Sequence, residues 1–167
     1  MLGFAKFLGI VGDVEVMLVV AIIMSAILIY AKKQKDALVV LMSFGVSTAA
    51  TYVLKHIFKI PRPEHMLVAE TGYRFPSGHA TAAGVVAVLA IYFAHKYLKH
   101  NSQRLYRYFV YVLATIWLAV SVWARLYLQV HLPIDVVCGA IVGVFTTIFT
   151  IHIFTKHLSY KRGTDFI

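Results

Sequence analysis

The chain carries a single cysteine, Cys138, so no disulfide can form within it. Acidic residues are scarce, seven against sixteen lysines and arginines, which leaves a formal net charge of +9. Only 14% of the residues are charged, and they do not build the soluble basic surface that nucleic-acid binding needs. Proline occurs four times, and no repeat, low-complexity tract or long linker divides the sequence. These absences argue against a disulfide-stapled fold, a nucleic-acid binder and a repeat array.

What is present is apolar. Hydrophobic residues make up 60% of the chain and mean hydropathy is +0.79, well above the roughly 45–50% apolar share of soluble domains. The expectation is an all-α, polytopic membrane bundle forming one domain over residues 1–167. Five stretches suit spans of about 17 to 25 helical residues, near 14–31, 36–58, 78–98, 106–127 and 133–155. The opening "MLGFAKFLGIVG" is too short to cross, and is expected to lie on the interface as a helix. It lacks the features of a cleaved secretory signal and is expected to be retained. One long connection runs over residues 59–77.

Basic residues sort unequally between the two ends of such a bundle. Lys32, Lys33, Lys35, Lys96, Lys99, Arg104, Arg107, Lys156, Lys161 and Arg162 fall on one face. Lys6, Lys55, Lys59, Arg62, Arg74 and Arg125 fall on the other. The positive-inside rule makes the first face, with the C-terminus, cytoplasmic. The 59–77 connection and the 128–132 turn are then outside.

Three patterns gather at the outer ends of the spans: "KHIFKIPRP" with Lys55 and Arg62, "PSGH" over 76–79, and "RLYLQVHLPID" with Arg125, His131 and Asp135. Ionisable groups near membrane depth are costly and tend to mark function. Lys55, Arg62 and Arg125 would repel one another without an anion between them, and arginine forks suit phosphate oxygens. Ser77 is the expected N-cap of the following span and Gly78 permits close backbone approach, so N–H groups and a helix dipole aim at that anion. Asp135, four residues after His131, would orient its ring and stabilise its positive form, leaving the other nitrogen to attack. His79 is placed to protonate the leaving oxygen and then to activate water.

Each piece also has a plain structural reading. Lys55 and Arg62 could be interfacial anchors, Asp135 a partner of the helix dipole, and residues 76–78 a helix start. A metal site from His79, His131 and Asp135 is opposed by three neighbouring cations. Glu64, His65, Glu70 and Arg74 either touch a headgroup or are solvated, and none is chosen for the site. His56 is expected to point elsewhere; His95, His100, His152 and His157 fall near cytoplasmic span ends. Gly139 with Gly143, and Ala80, Ala83, Gly84 and Ala87, are expected to pack helices within the bundle rather than to form a dimer seam.

Taken together, these motifs resemble the type 2 phosphatidic acid phosphatase (PAP2) family, whose pattern is Lys-x6-Arg-Pro, Pro-Ser-Gly-His and Ser-Arg-x5-His-x3-Asp. One position departs: Ala124 stands where the pattern has serine. Many relatives have six spans, where five are expected here. The resemblance implies a metal-independent, cofactor-free reaction through a phosphohistidine. His131 would be the nucleophile, Asp135 its partner and His79 the acid and base. Lys55, Arg62, Ser77, Gly78 and Arg125 would bind phosphate.

The resulting expectation is a lipid phosphate phosphatase of a bacterial inner membrane with its site facing outward. Its partners would be the bilayer and the lipid, and no obligatory protein partner is evident. Lipid A 1-phosphate and phosphatidylglycerol phosphate lead as substrates, ahead of undecaprenyl diphosphate and phosphatidic acid. A phosphotransferase and a non-catalytic lipid-phosphate binder or transporter are the alternatives from other classes.

Overall fold

The computed structural model describes the backbone of residues 1–163 and the side chains of residues 1–155. Lys156, Lys161 and Arg162, assigned above to the cytoplasmic face, and His157 therefore have side chains outside the described residues. Among the described residues there are six α-helices and one short 3-10 turn, and no strand. The helices are α1 (Leu2–Val11), α2 (Val14–Tyr30), α3 (Gln34–Phe58), α4 (Gly78–Tyr97), α5 (Arg104–Tyr127) and α6 (Pro133–Gly163); the turn Asn101–Gln103 leads into α5.

Local chemistry sets the helix ends. Asp13 caps α2 by accepting the Glu15 N–H at 3.1 Å. Lys59 adopts the left-handed conformation, φ 47°, and closes α3 by donating its N–H to the Lys55 carbonyl. Ser77 caps α4 through the Ala80 N–H, as expected. Pro133 opens α6, and the Asp135 side chain reaches back to the Leu132 N–H at 2.7 Å, one half of a capping box.

Four elements are long and apolar enough to cross a membrane: Gln34–Phe58, Gly78–Tyr97, Asn101–Tyr127 and Pro133–Thr155. The stretch expected at 14–31 is α2, whose 17 residues are at the lower limit for a span; α1 and α2 together are long and apolar enough to form one span, bent by 50°. Among the described residues the bundle therefore has four candidate spans, or five with the bent pair.

Small residues fix how α4 and α6 meet. A Cβ on Gly143 would lie 2.1 Å from the Thr81 carbonyl oxygen, one on Gly139 2.4 Å from that of Ser77, and one on Gly84 2.9 Å from that of Ala140. The glycine stripe is thus filled inside the bundle, as the sequence suggested. This seat puts the first turn of α6 beside the first turn of α4, where the Ser77 N–H donates to the Asp135 carbonyl at 3.0 Å. Two of the three motifs are thereby joined through backbone.

At the opposite end, buried Asp36 on α3 accepts from Lys96 and Tyr97 on α4, and Lys33 lies 3.9 Å over the Tyr97 ring. Outward faces remain apolar, with Phe109, Ile116, Ile141 and Phe145 exposed, as suits a lipid solvent. Helix α1 lies across α5: Ala5 and Leu8 are buried against Ala124, Leu128 and Val130.

Candidate active site

The three motifs converge at one end of the bundle because each sits at a helix end facing that side. Lys55 is in the last turn of α3, Arg125 in the last turn of α5, and Ser77, Gly78 and His79 open α4. Between α5 and α6 the chain reverses within five residues, with Gln129 in the left-handed region at φ 57° and Leu128, Val130 and His131 buried.

The cations are held by partners. Arg125, only 2% exposed, donates from Nη1 to Glu70 Oε1 at 3.0 Å. Arg62 Nη2 stands 3.3 Å from Glu70 Oε2, while its Nε donates to the Thr71 and Gly72 carbonyls and its Nη1 to that of Val130. Lys55 donates to the Tyr73 carbonyl. The anion that mutual repulsion demanded is thus supplied by the chain itself: Glu70 bridges Arg62 and Arg125.

His131 is 4% exposed, and its Nδ1 is buried without a hydrogen-bond partner. Burial first, then the positive charges of Arg62, Lys55 and Arg125, push its pKa down to about 2. The ring is therefore neutral at physiological pH, with a free lone pair. Asp135 Oδ2 lies 3.6 Å from Nδ1, an ion-pair separation rather than the expected hydrogen bond. The cause is competition. Arg74 Nη1 holds both oxygens of that carboxylate, at 2.8 and 2.6 Å, and the Leu132 N–H takes Oδ2 as well.

His79 has Nε2 2.9 Å from the Gly9 carbonyl oxygen and its ring against Arg125 Nη1, at 3.0 Å from Nε2 and 3.3 Å from Nδ1. Ala124, at the position of the motif's serine, is buried in the apolar seat of α1. His56 bonds the Tyr52 carbonyl and lies on the exposed side of α3. No group of three or more His, Cys, Asp and Glu side chains is arranged to hold a metal among the described residues.

Three cavities open around the cluster. One of about 180 Å³ is apolar and runs between α2, α3 and α4 from Lys55 and Gly78 past Thr51 to Val85. A second, of about 490 Å³, lies between α1 and the connection, beside Lys6, Asp13, Glu70 and Arg125. The third, of about 420 Å³, has His131 in its wall with Glu64 and His65.

The structure brings Lys55, Arg62, Ser77, Gly78, His79, Arg125, His131 and Asp135 to one end of the bundle, and adds Glu70 and Arg74 to them. Charge balance was the signal available for Glu70, since three clustered cations need an anion. Nothing in the sequence distinguished Glu70 from Glu64, or Arg74 from a solvated loop residue.

Fold and site define a polytopic helical membrane protein with a cluster of cations and two histidines at one end of its bundle. Residues 36–159 match the PAP2 superfamily, and the chain belongs to that family. It is 32% identical over 133 residues to phosphatidylglycerophosphatase B of Bacillus subtilis, covering 79% of this chain and 64% of the relative. An undecaprenyl-diphosphatase of Sulfolobus acidocaldarius is 24% identical, over 76% of this chain and 59% of the relative. The chain therefore spans less than two thirds of the length of either. The crystal structure of a transmembrane PAP2-type phosphatidylglycerolphosphate phosphatase from Bacillus subtilis superposes with a TM-score of 0.81 at 28% identity, over 93% of this chain and 77% of that one.

Proposed function

We propose that this protein is an integral-membrane lipid phosphatase that cleaves a phosphomonoester, or the end of a diphosphate, through a phosphohistidine. The observation that carries this reading is a buried, neutral histidine, His131, inside a ring formed by Lys55, Arg62 and Arg125. A neutral imidazole is a nucleophile, and fixed cations stabilise charge on the equatorial oxygens of the transferring phosphoryl group.

In the first step the substrate phosphate displaces the Glu70 carboxylate from Arg62 and Arg125. With a proton on Nδ1, facing Asp135, His131 attacks phosphorus through Nε2. The P–O bond to the lipid breaks as His79 passes a proton to the leaving oxygen. Asp135 stabilises the positive charge that the phosphorylated ring acquires. Water then attacks phosphorus, His79 takes its proton, and the P–N bond breaks to release phosphate and restore His131. Gly78 offers the start of α4 to the phosphate oxygens and Ser77 its hydroxyl proton; the Ser77 N–H, expected from the sequence to face the anion, is instead held by the Asp135 carbonyl.

Phosphatidylglycerol phosphate is the substrate we favour, with lipid A 1-phosphate next. The names of the two relatives support a phosphatidylglycerol phosphate or an undecaprenyl diphosphate more directly than a lipid A phosphate. The apolar cavity beside Lys55 offers a place for the start of a lipid tail. The orientation we favour is a bacterial inner membrane with the site outward and the C-terminus cytoplasmic, since Lys32, Lys33, Lys35, Lys96, Lys99, Arg104 and Arg107 lie at the other end of the bundle.

The test is phosphate release by purified protein in detergent with EDTA, across phosphatidylglycerol phosphate, lipid A, undecaprenyl diphosphate and phosphatidic acid. Turnover of at least one, abolished in His131→Ala, is expected; full activity in that variant would overturn the mechanism.

A further inference from the structure

The mechanism above gives no role to α1, yet its closest approach to the site is a direct contact. His79 Nε2 lies 2.9 Å from the carbonyl oxygen of Gly9. Gly9 is in the last turn of α1, where carbonyls lose their helical partners. The Gly12 N–H bonds Leu8 and the Asp13 N–H bonds Ile10, which passes Gly9 by and leaves its carbonyl to His79.

A ring nitrogen beside a carbonyl oxygen can only donate. Nε2 therefore carries the proton in the neutral ring, and the lone pair is on Nδ1, facing Arg125 Nη1 at 3.3 Å. The 3.0 Å approach of Arg125 to Nε2 is then a contact and not a hydrogen bond.

We propose that the Gly9 carbonyl is the positioning partner of His79, so that helix α1 completes the active site. The proposal rests on the reading of His79 as acid and base. With Nε2–H anchored on Gly9, Nδ1 is the atom that exchanges a proton with the leaving oxygen and then with water. Substrate phosphate engages Arg125 and releases Nδ1 for that task. When the ring is doubly protonated the Nε2–H bond to Gly9 persists, and the negative end of the α1 dipole favours the charge.

Why residue 9 is glycine follows from the same geometry. A Cβ there would lie 2.6 Å from Arg125 Nη2, on a side chain already buried and held by Glu70. Any other residue pushes α1 away or displaces the guanidinium. The helix is kept at this distance by Ala5 and Leu8, buried against Ala124, Leu128 and Val130. The charged groups facing His79 are Arg125 from α5, Glu70 from the connection and Asp13 at the α1–α2 bend.

The experiment compares the full-length protein in detergent with Ala5→Leu, which wedges α1 off α5 from a fully buried position, and with Gly9→Ala. Each is assayed on a lipid alkyl phosphate, whose leaving oxygen needs a proton, and on 4-nitrophenyl phosphate, whose leaving oxygen does not. In Ala5→Leu the displaced acid lowers kcat on the lipid phosphate at least tenfold and on the aryl phosphate less than threefold; Gly9→Ala, whose Cβ also presses on Arg125, loses the lipid phosphate as strongly and part of the aryl phosphate as well. In Ala5→Leu, inhibition by inorganic phosphate stays within about twofold, because the cation ring is untouched. Equal losses on both substrates in Ala5→Leu, or an unchanged kcat on the lipid phosphate there, would overturn the proposal. A wild-type protein that cleaves neither substrate would instead overturn the phosphatase reading beneath it.

Discussion

Arg74 grips both carboxylate oxygens of Asp135 through a single nitrogen, at 2.8 and 2.6 Å, although 61 residues separate them. The pair ties the 59–77 connection to the first turn of α6 and fixes the carboxylate that faces His131. Asp135 is fully buried and the Arg74 side chain is 15% exposed, so losing the arginine strands a carboxylate in a poorly solvated place.

Arg74→Met is therefore expected to destabilise the protein by roughly 3 kcal/mol, the scale for breaking a buried pair. Adding Asp135→Asn should recover most of that loss. Thermal unfolding of the two single variants and the double variant in detergent measures the coupling; additive losses would show that the two side chains act independently.

Glu70 sits between Arg62 and Arg125, and in the proposed mechanism it holds the place of the substrate phosphate and competes with it. In Glu70→Gln inorganic phosphate should inhibit several-fold more strongly. The unliganded variant should melt at lower temperature and be rescued by added phosphate. Weaker phosphate inhibition in Glu70→Gln would mean that the carboxylate helps to build the anion site instead of occupying it.

The pH dependence of stability follows from His131. Its pKa is about 2 in the folded protein and near 6.5 in an unfolded chain, so between these values the unfolded state binds more protons. This contribution is fully present above about pH 6.5 and falls as the pH drops, by roughly 1–2 kcal/mol at pH 5. His131→Gln should flatten the decline in melting temperature between pH 7.5 and 5. An identical slope in both proteins would show that the buried ring is not the group responsible.

The α4–α6 seat predicts a contrast between two glycines. Gly143→Ala drives a Cβ against the Thr81 carbonyl and should lower both melting temperature and activity, because that seat aligns Ser77 with Asp135. Gly45→Ala meets nothing within 4 Å on α3 and should be neutral or slightly stabilising. Equal behaviour of the two variants in a thermal melt would contradict the packing account.

Much of this site was legible in the sequence. Apolar runs fix where spans begin and end, so Lys55, Ser77, Arg125 and His131 had to meet at one end of the bundle. The small residues of α4 and α6 announced a close contact, and Ser77 announced a helix start. The connection over 59–77 was not legible, because it has neither helical nor strand period and its folding depends on partners far away. Glu70 and Arg74 are placed by Arg62, Arg125 and Asp135, which no local pattern records. The same holds for Asp135, expected to orient His131 and found shared with Arg74 and the Leu132 N–H. It holds too for α1, whose meeting with His79 depends on a 50° bend at its junction with α2.

The central claim is that His131 carries the phosphoryl group. Purified protein mixed with a lipid phosphate radiolabelled at phosphorus, quenched within a turnover and separated from lipid, reports this directly. The account predicts a protein-bound label that is stable to alkali and lost in acid, as a phosphoramidate must be, and absent from His131→Gln. Label retained in His131→Gln, or rapid hydrolysis by the wild type with no labelled protein at any time, would contradict it.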